Sequence, residues 1–356
     1  MFERTKAFCD SFLNMGIPGF DLTVYRDGVC ILRHMGGYSD LERRIPVNGS
    51  ERYHIYSCSK PITCAAAMQL WERGLFSLED PLCKFLPEFA HMTVGDRPAE
   101  KPILIRHLFE MTAGFSYDLH SPHLTQFRET GGGCPTRDAM GYLAKEPLLF
   151  EPGTHWHYSL CHDVLAALVE VLSGQTFEDY VQDHIFKPLG MTQSTFLPSE
   201  AEQAQLARQY IWENGTARPC GQANQYRLGR DYASGGAGCV STVEDYMKFL
   251  EALRVGEPIL KRDTIALMAT DRLTERQRAD YDFPHTYGYG LGLRTPKQGA
   301  AGTDFGWSGA AGSYLAVDIP HGLSIFHVQH MLLAPNRDLR PKIVEHILAD
   351  LEEVRQ

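Results

Sequence analysis

Strand patterning lies at both ends of this chain and helical patterning fills its middle, an order that few folds accommodate. Near the N-terminus, Asp21-Leu22-Thr23-Val24-Tyr25 and Val29-Cys30-Ile31-Leu32-Arg33-His34 are strand-like runs. They are joined through Arg26-Asp27-Gly28, a hairpin signal. Near the C-terminus, residues 312–318 and 323–328 flank the turn Pro320-His321-Gly322. In between, Val164, Leu165, Leu168, Val169 and Leu172 recur at helical spacing before a stop at Gly174. Ser241-Thr242-Val243-Glu244 has the form of a capping box opening a helix over 243–253. Residues 2–14 and 338–354 read as terminal helices. The expectation is an α+β fold with a discontinuous domain, residues 1–60 and 285–356, whose antiparallel sheet is flanked by helices. Residues 61–284 would form a mostly helical inserted domain, with the active site between the two. Gly131-Gly132-Gly133 marks a loop rather than a linker between independent domains.

The stretch with the most chemical content is Ser57-Cys58-Ser59-Lys60-Pro61. Residues 53–56 have strand character. The run from Lys60 to Trp71 reads as a helix whose first turn tolerates Pro61. Ser57 and Lys60, spaced i, i+3, then share one face. A serine at a strand-to-helix junction lies near free backbone N–H groups and the positive end of the helix dipole. A lysine beside it, partly desolvated, is poised to lose a proton. Alone the pattern is weak, since S-x-x-K arises by chance about once in a chain of this size, and a capping serine with a solvated lysine explains it equally well.

Bulk properties narrow the function classes. The chain has 356 residues, 44% hydrophobic and 22% charged, as expected of a globular enzyme. Its net charge of −10 gives it no electrostatic reason to bind nucleic acid or an anionic membrane. The first ten residues carry charges before any apolar run can form, and no run reaches membrane-spanning length. Nine scattered cysteines without a C-x-x-C pair read as free thiols in a reducing cytoplasm.

Two further segments accompany the serine. Tyr158 precedes the helix near residue 163, and a phenol close to a lysine can act as general base toward Ser57 and later as acid toward a leaving group. In Phe305-Gly306-Trp307-Ser308-Gly309-Ala310 the small residues let a substrate approach the backbone. There the N–H of Ala310 could join that of Ser57 as an oxyanion hole. Each also has a bland reading, a hydrogen-bonded tyrosine and a tight sheet corner. His155, His157, Cys161 and His162 have metal-ligand residue types, but they span a loop-to-helix turn and lack paired ligand spacings. Neither a metal nor any other cofactor is called for. His107 and His184 read as structural.

The order S-x-x-K, then Tyr158-Ser159, then Trp307-Ser308-Gly309 resembles the serine β-lactamase and penicillin-binding-protein superfamily. More narrowly it is similar to the class C β-lactamase-related group and its family VIII carboxylesterases. Residues 105–115, 185–192 and 235–242 resemble the same group, so the likeness spans roughly 17–332. It implies Ser57 as acylated nucleophile, Lys60 and Tyr158 as the pair that activates it, and Trp307, Ser308, Gly309 and Ala310 as the substrate wall. Two departures bear on substrate. Leu160 stands where class C enzymes carry an Asn, and Trp307 where they carry a Lys that pairs with a β-lactam carboxylate. Such charge-assisted bonds are worth roughly 1.5–3 kcal/mol each. Their loss, with an aromatic wall gained, favours a carboxylesterase acting on small or medium acyl esters. The alternatives are a β-lactamase or D-amino-acid peptidase, and a non-catalytic binding domain of the same fold. The expected partner is a small-molecule acyl substrate, with specificity in the loops around 115–135 and 215–232. Phe115, Tyr117, Phe127, Tyr226 and Tyr232 are candidates there for an apolar cleft.

Overall fold

The computed structural model describes residues 1–353 other than 131, 132, 134, 282, 284, 285 and 298. The glycine loop at 131–133 therefore lies mostly outside the described residues. Eight strands form the main sheet. They are β1 (Gly19–Arg26), β2 (Val29–Asp40), β3 (Ile45–Pro46), β4 (Tyr287–Tyr289), β5 (Arg294–Pro296), β6 (Phe305–Ser308), β7 (Tyr314–Asp318) and β8 (Leu323–Val328). Their spatial order is β4-β5-β6-β7-β8-β1-β2-β3, with every neighbour antiparallel. The last long strand, β8, lies beside the first, β1, so the two ends of the chain complete one sheet. The β1–β2 turn has Asp27 at φ 49° and Gly28 at φ 83°. Two successive positive φ angles match the right-handed twist of a hairpin, which the Asp-Gly pair tolerates. The strand expected over 312–318 begins at Tyr314 rather than at 312, because Gly312 turns the chain at φ 100°.

Side chains alternate across the sheet. Tyr314, Ala316, Leu323 and Ile325 enter one apolar cluster, and Leu315, Val317, Phe326 and Val328 enter another. Both faces are covered, which is why these strands read as almost continuous apolar runs. Five helices matter to the layers: α1 (Glu3–Asn14), α2 (Ser59–Glu72), α3 (Cys161–Ser173), α4 (Val243–Val255) and α5 (Lys342–Glu353). Helices α1 and α5 cover the first face, where Asp350 accepts from Thr5 N at 2.9 Å and Thr5 Oγ1 at 2.6 Å. The other face meets α4, whose Tyr246 ring stacks on Phe326 at 4.3 Å. The α4 cap is Thr242, which accepts from Asp245 N, one residue later than the expected Ser241–Glu244 box. Ser241 instead pairs with Ser194 at 2.8 Å.

Helix α2 is apolar nearly all round and buried over most of its length, as a central helix must be. The middle of the chain is not wholly helical. The hairpin Tyr210–Glu213 and Thr216–Pro219 pairs in parallel with Met331–Leu332, tying the middle to the C-terminal segment. Among the described residues no helix is long and apolar enough to cross a membrane, and eight cysteines are free.

Candidate active site

The junction before α2 is sharper than a simple strand-to-helix passage. The strand Tyr53–His54 ends two residues before a short 3₁₀ turn, Tyr56–Cys58, and Tyr56 takes a left-handed φ of 47°. A non-glycine residue in that region is strained, and such strain persists only where the surroundings over-determine it. Here the Tyr56 hydroxyl donates to Gln209 Oε1, and its ring meets Tyr226 edge-on at 5.4 Å. Both contacts hold the turn that presents Ser57.

Ser57 is 9% exposed, and Lys60 is fully buried on the adjoining turn of α2. Lys60 Nζ lies 3.3 Å from Ser57 Oγ and donates to Gly236 O at 2.7 Å. The Tyr158 hydroxyl donates to Ser57 Oγ at 2.5 Å. The Lys60 ammonium also sits 4.5 Å from the Tyr158 ring centroid and 5.4 Å from that of Tyr117. The two tyrosine rings stack at 5.3 Å and 4°. Hydroxyl, amine and phenol, drawn from α2 and the segment before α3, therefore meet at one point. Cys58 is fully buried, and burial raises its thiol pKa to about 12, so it takes no part in this cluster as a thiolate.

Two groups near Lys60 were not expected as its neighbours. Asp163, in the first turn of α3, is 1% exposed and accepts from Tyr232 Oη and Ser234 Oγ, both at 2.7 Å. Burial raises its pKa, while those hydrogen bonds and Lys60 pull it down. Its Oδ2 and Lys60 Nζ flank Gly236, where a Cβ would lie 2.6 Å from the oxygen and 3.4 Å from the nitrogen. A carboxylate there reads in sequence as an ordinary dipole-complementing residue of a helix start. Tyr117 is the second such group. It was expected only as a cleft candidate, and it also forms the ring layer over Lys60.

The wall strand β6 places Trp307 and Ser308 against the same cleft. Trp307 is 1% exposed and stacks on Tyr158 at 6.0 Å. Gly309 and Ala310 follow in a tight turn closed by Gly309 N to Ser313 O at 2.8 Å and Gly312 N to Gly309 O at 3.0 Å. Neither bond uses the N–H of Ala310. A Cβ on Gly309 would lie 2.1 Å from Ser313 Oγ and 2.3 Å from Ile55 O. Its missing side chain thus lets the wall strand dock on the residue two before Ser57, so the tight-corner reading applies to Gly309. The cleft has a volume of about 580 Å³. Ser57, Tyr158, Trp307, Ser308, Gly309 and Ala310 all line it. Of the loop aromatics, Tyr117 and Tyr226 line it as well, whereas Phe115, Phe127 and Tyr232 are buried in the core. Trp156, Phe283, Leu333, Ala334 and two arginines, Arg337 and Arg340, complete it and were not anticipated as cleft residues.

The departures from class C enzymes have structural consequences. Leu160 is buried in the apolar cluster of the helical layer, and the Gly236 carbonyl serves Lys60. The histidine cluster disperses. His155 pairs with Asp280 at 2.8 Å, and His162 faces Cys64 at 3.5 Å. Among the described residues no group of three or more His, Cys, Asp or Glu could hold a metal ion. His107 Nδ1 accepts from Leu104 N at 3.1 Å, and His184 faces Gln175 Oε1 at 3.2 Å, both local structural roles.

A central antiparallel sheet completed by both chain ends, with a serine–lysine–tyrosine cluster at its helical edge, defines a serine β-lactamase-like fold. The Beta-lactamase family model matches residues 7–339, so the chain belongs to that family. It is 28% identical to Protein Rv1367c of Mycobacterium tuberculosis, over 83% of this chain and 81% of that one. It is 29% identical to Esterase EstB of Burkholderia gladioli, over 85% of this chain and 83% of that one. Among solved structures it is similar to EstCE1, a hydrolase with promiscuous acyltransferase activity. The TM-score is 0.84 and the identity 25%, with 97% of each chain covered.

Proposed function

We propose that this protein is a serine hydrolase that forms an acyl-enzyme on Ser57 and acts on small or medium acyl esters. The observation that carries the reading is the position of Ser57 Oγ, between Lys60 Nζ at 3.3 Å and Tyr158 Oη at 2.5 Å, in a cleft open to substrate. Ser57 Oγ attacks the ester carbonyl carbon, and its proton passes into the Lys60/Tyr158 pair. The carbonyl oxygen, now negative, takes the N–H groups of Ser57 and Ala310. The ester C–O bond breaks and the pair returns the proton to the departing alkoxide. Water then repeats the sequence on the acyl-enzyme, releasing the acid and restoring Ser57. Each group works from a fixed position, so little reorganisation is needed at the moment of attack. The aromatic wall of Tyr117, Tyr158, Tyr226, Phe283 and Trp307 suits apolar acyl or alcohol groups, and the similarity to EstB and EstCE1 supports the ester reading.

The test is burst hydrolysis of a p-nitrophenyl ester together with fluorophosphonate labelling. Both should occur in the wild type and vanish in Ser57→Ala. Retained hydrolysis in that variant overturns the assignment. Failure of the probe to label folded wild-type protein makes it a non-catalytic binding domain. Turnover of a chromogenic cephalosporin at a rate near that of the ester moves the reading to a β-lactamase.

A further inference from the structure

Leu333 lines the cleft and is 72% exposed, more than any other large apolar side chain among the described residues. A single exposed leucine is ordinary on a surface, so its setting decides what it means. Leu333 takes a left-handed φ of 55°, a conformation that persists in a bulky residue only where the surroundings impose it. Here they do. Just before it, Tyr210 N donates to His330 O at 2.9 Å, and His330 Nδ1 donates to Ala207 O at 2.9 Å. Met331 N donates to Ala311 O at 2.9 Å, and Met331–Leu332 pairs in parallel with Tyr210 and Ile211. Across the loop, the buried amides of Gln329 and Asn336 exchange two hydrogen bonds, at 3.0 and 2.9 Å. The immediate neighbours of Leu333 turn inward. Leu332 enters the apolar cluster of Tyr56 and Ala311, and Ala334 enters the one covered by α1 and α5. The loop 329–336 is therefore buckled at its base and pinned along one side. At its tip it presents an apolar side chain to the cleft. Exposed apolar surface and a left-handed leucine both work against the fold before substrate binds. Covering the side chain with hydrocarbon recovers the first, and a loop already fixed needs little ordering to do so.

We propose that Leu333 forms an apolar shelf on the rim of the cleft for a hydrocarbon chain of the ester, and that the preferred substrate carries a chain long enough to reach it from Ser57. This rests on the esterase reading above and names its substrate class. It also divides the range of small and medium esters: the shortest chains leave Leu333 in water, and longer ones cover it. The contact has the same chemistry whether the chain belongs to the acid or to the alcohol, and the experiment tells the two apart.

The experiment measures kcat/KM in two series of esters. In the first the acyl chain grows, from p-nitrophenyl acetate through butyrate and hexanoate to octanoate. In the second the alcohol grows, from ethyl acetate through butyl to hexyl acetate. The wild type is compared with Leu333→Asn and Leu333→Gly. Asparagine and glycine both accept a positive φ, so the turn is kept, and asparagine matches leucine in size without its apolar surface. In the wild type kcat/KM should rise in one series, by about fourfold for each methylene group covered. The rise should lie more in KM than in kcat, because the contact is the same before and during attack. Both variants should flatten it, losing at least tenfold more on the longest ester than on the acetate. The series that flattens assigns the shelf to the acid or to the alcohol. A profile flat in both series, or unchanged by both variants, with Ser57-dependent turnover intact, overturns this inference and leaves the esterase reading standing. A loss as large on the acetates as on the long esters overturns it too, since Leu333 would then support the fold rather than the substrate. Absence of Ser57-dependent turnover throughout overturns the esterase reading itself. The shelf is then judged by melting of the Ser57→Ala protein, which ethyl hexanoate or hexyl acetate should stabilise more than ethyl acetate does. Adding Leu333→Asn should abolish that difference, and a difference that survives it overturns the shelf.

Discussion

The two walls of the cleft hold their polar groups differently. On the side built by α2 and the segment entering α3, the polar groups are joined in a chain. Tyr158 donates to Ser57, Lys60 reaches Ser57 and Gly236, and Asp163 accepts from Tyr232 and Ser234. On the side built by β6 and the segment before α5, Trp307 Nε1 and Arg340 Nε have no partner among the described residues. Groups that move protons gain from being fixed before substrate arrives. Groups that recognise a substrate must keep bonding capacity in reserve. The proton-moving atoms of the first wall are therefore held before a ligand arrives, although Asp163 Oδ2 and Trp156 Nε1 on that side, like Trp307 Nε1 and Arg340 Nε on the other, have no partner among the described residues.

If the first wall works as a unit, removing Lys60 should cost the most after loss of Ser57 itself. Lys60→Ala is expected to lower kcat by about 10²–10⁴-fold, the range of positioned acid–base groups. Tyr158→Phe should fall in the same range, and the double variant should lose little more than the worse single one. Rates measured under saturating ester check this. Full additivity of the two losses would mean that the residues act separately rather than as a coupled pair.

A smaller effect is expected at the support of that unit. In Gly236→Ala the new methyl would stand 2.6 Å from Asp163 Oδ2, so the carboxyl or the Gly236 loop must shift. That moves the carbonyl that holds Lys60. A roughly tenfold loss in kcat is expected with KM little changed, since a misplacement well below 1 Å already disturbs a near-attack geometry. An unchanged kcat with normal folding would show the Lys60 position to be set by the tyrosine rings instead.

The same contrast explains how much of the site could be read in advance. Ser57 and Lys60 were legible because their relation is local: one helical turn fixes it whatever the rest of the chain does. The sheet was legible because strand-like runs flanking turn signals at both ends leave few other arrangements. Tyr158 and the 307–310 wall lie one hundred and two hundred and fifty residues away, so only the order of a known pattern tied them to the serine. Asp163 was hidden because its burial comes from the 232–236 segment, which sequence spacing does not place. Arg337 and Arg340 were hidden for a related reason. The terminal helix expected from 338 begins only at Lys342, so Asp338-Leu339-Arg340 lie in the chain leading to it. Only the return of the chain from β8 past the Gly309 turn buries one of the two arginines.

The weakest link to catalysis should be the far face of the sheet, and this gives the comparison its control. Asp350 of α5 caps α1 through Thr5 and is 4% exposed. Burial raises its pKa, but hydrogen bonds from Thr5 outweigh that, so the folded-state value lies below the usual carboxylate range. A depressed carboxyl pKa stabilises the fold above its unfolded value, near 4, and that contribution fades as pH falls through the lower folded value. Asp350→Ala should therefore cost about 1–2 kcal/mol at pH 7, a typical loss for a helix cap, and progressively less below pH 4. Denaturant titration at pH 7 and pH 3 measures the difference. Ester kcat should stay within about twofold of wild type, because α1 and α5 meet the sheet on the face away from α2. A kcat loss comparable to that of Gly236→Ala would mean that the terminal helices set the position of β6, and the first wall could then no longer be treated as independent of the fold's closing contacts.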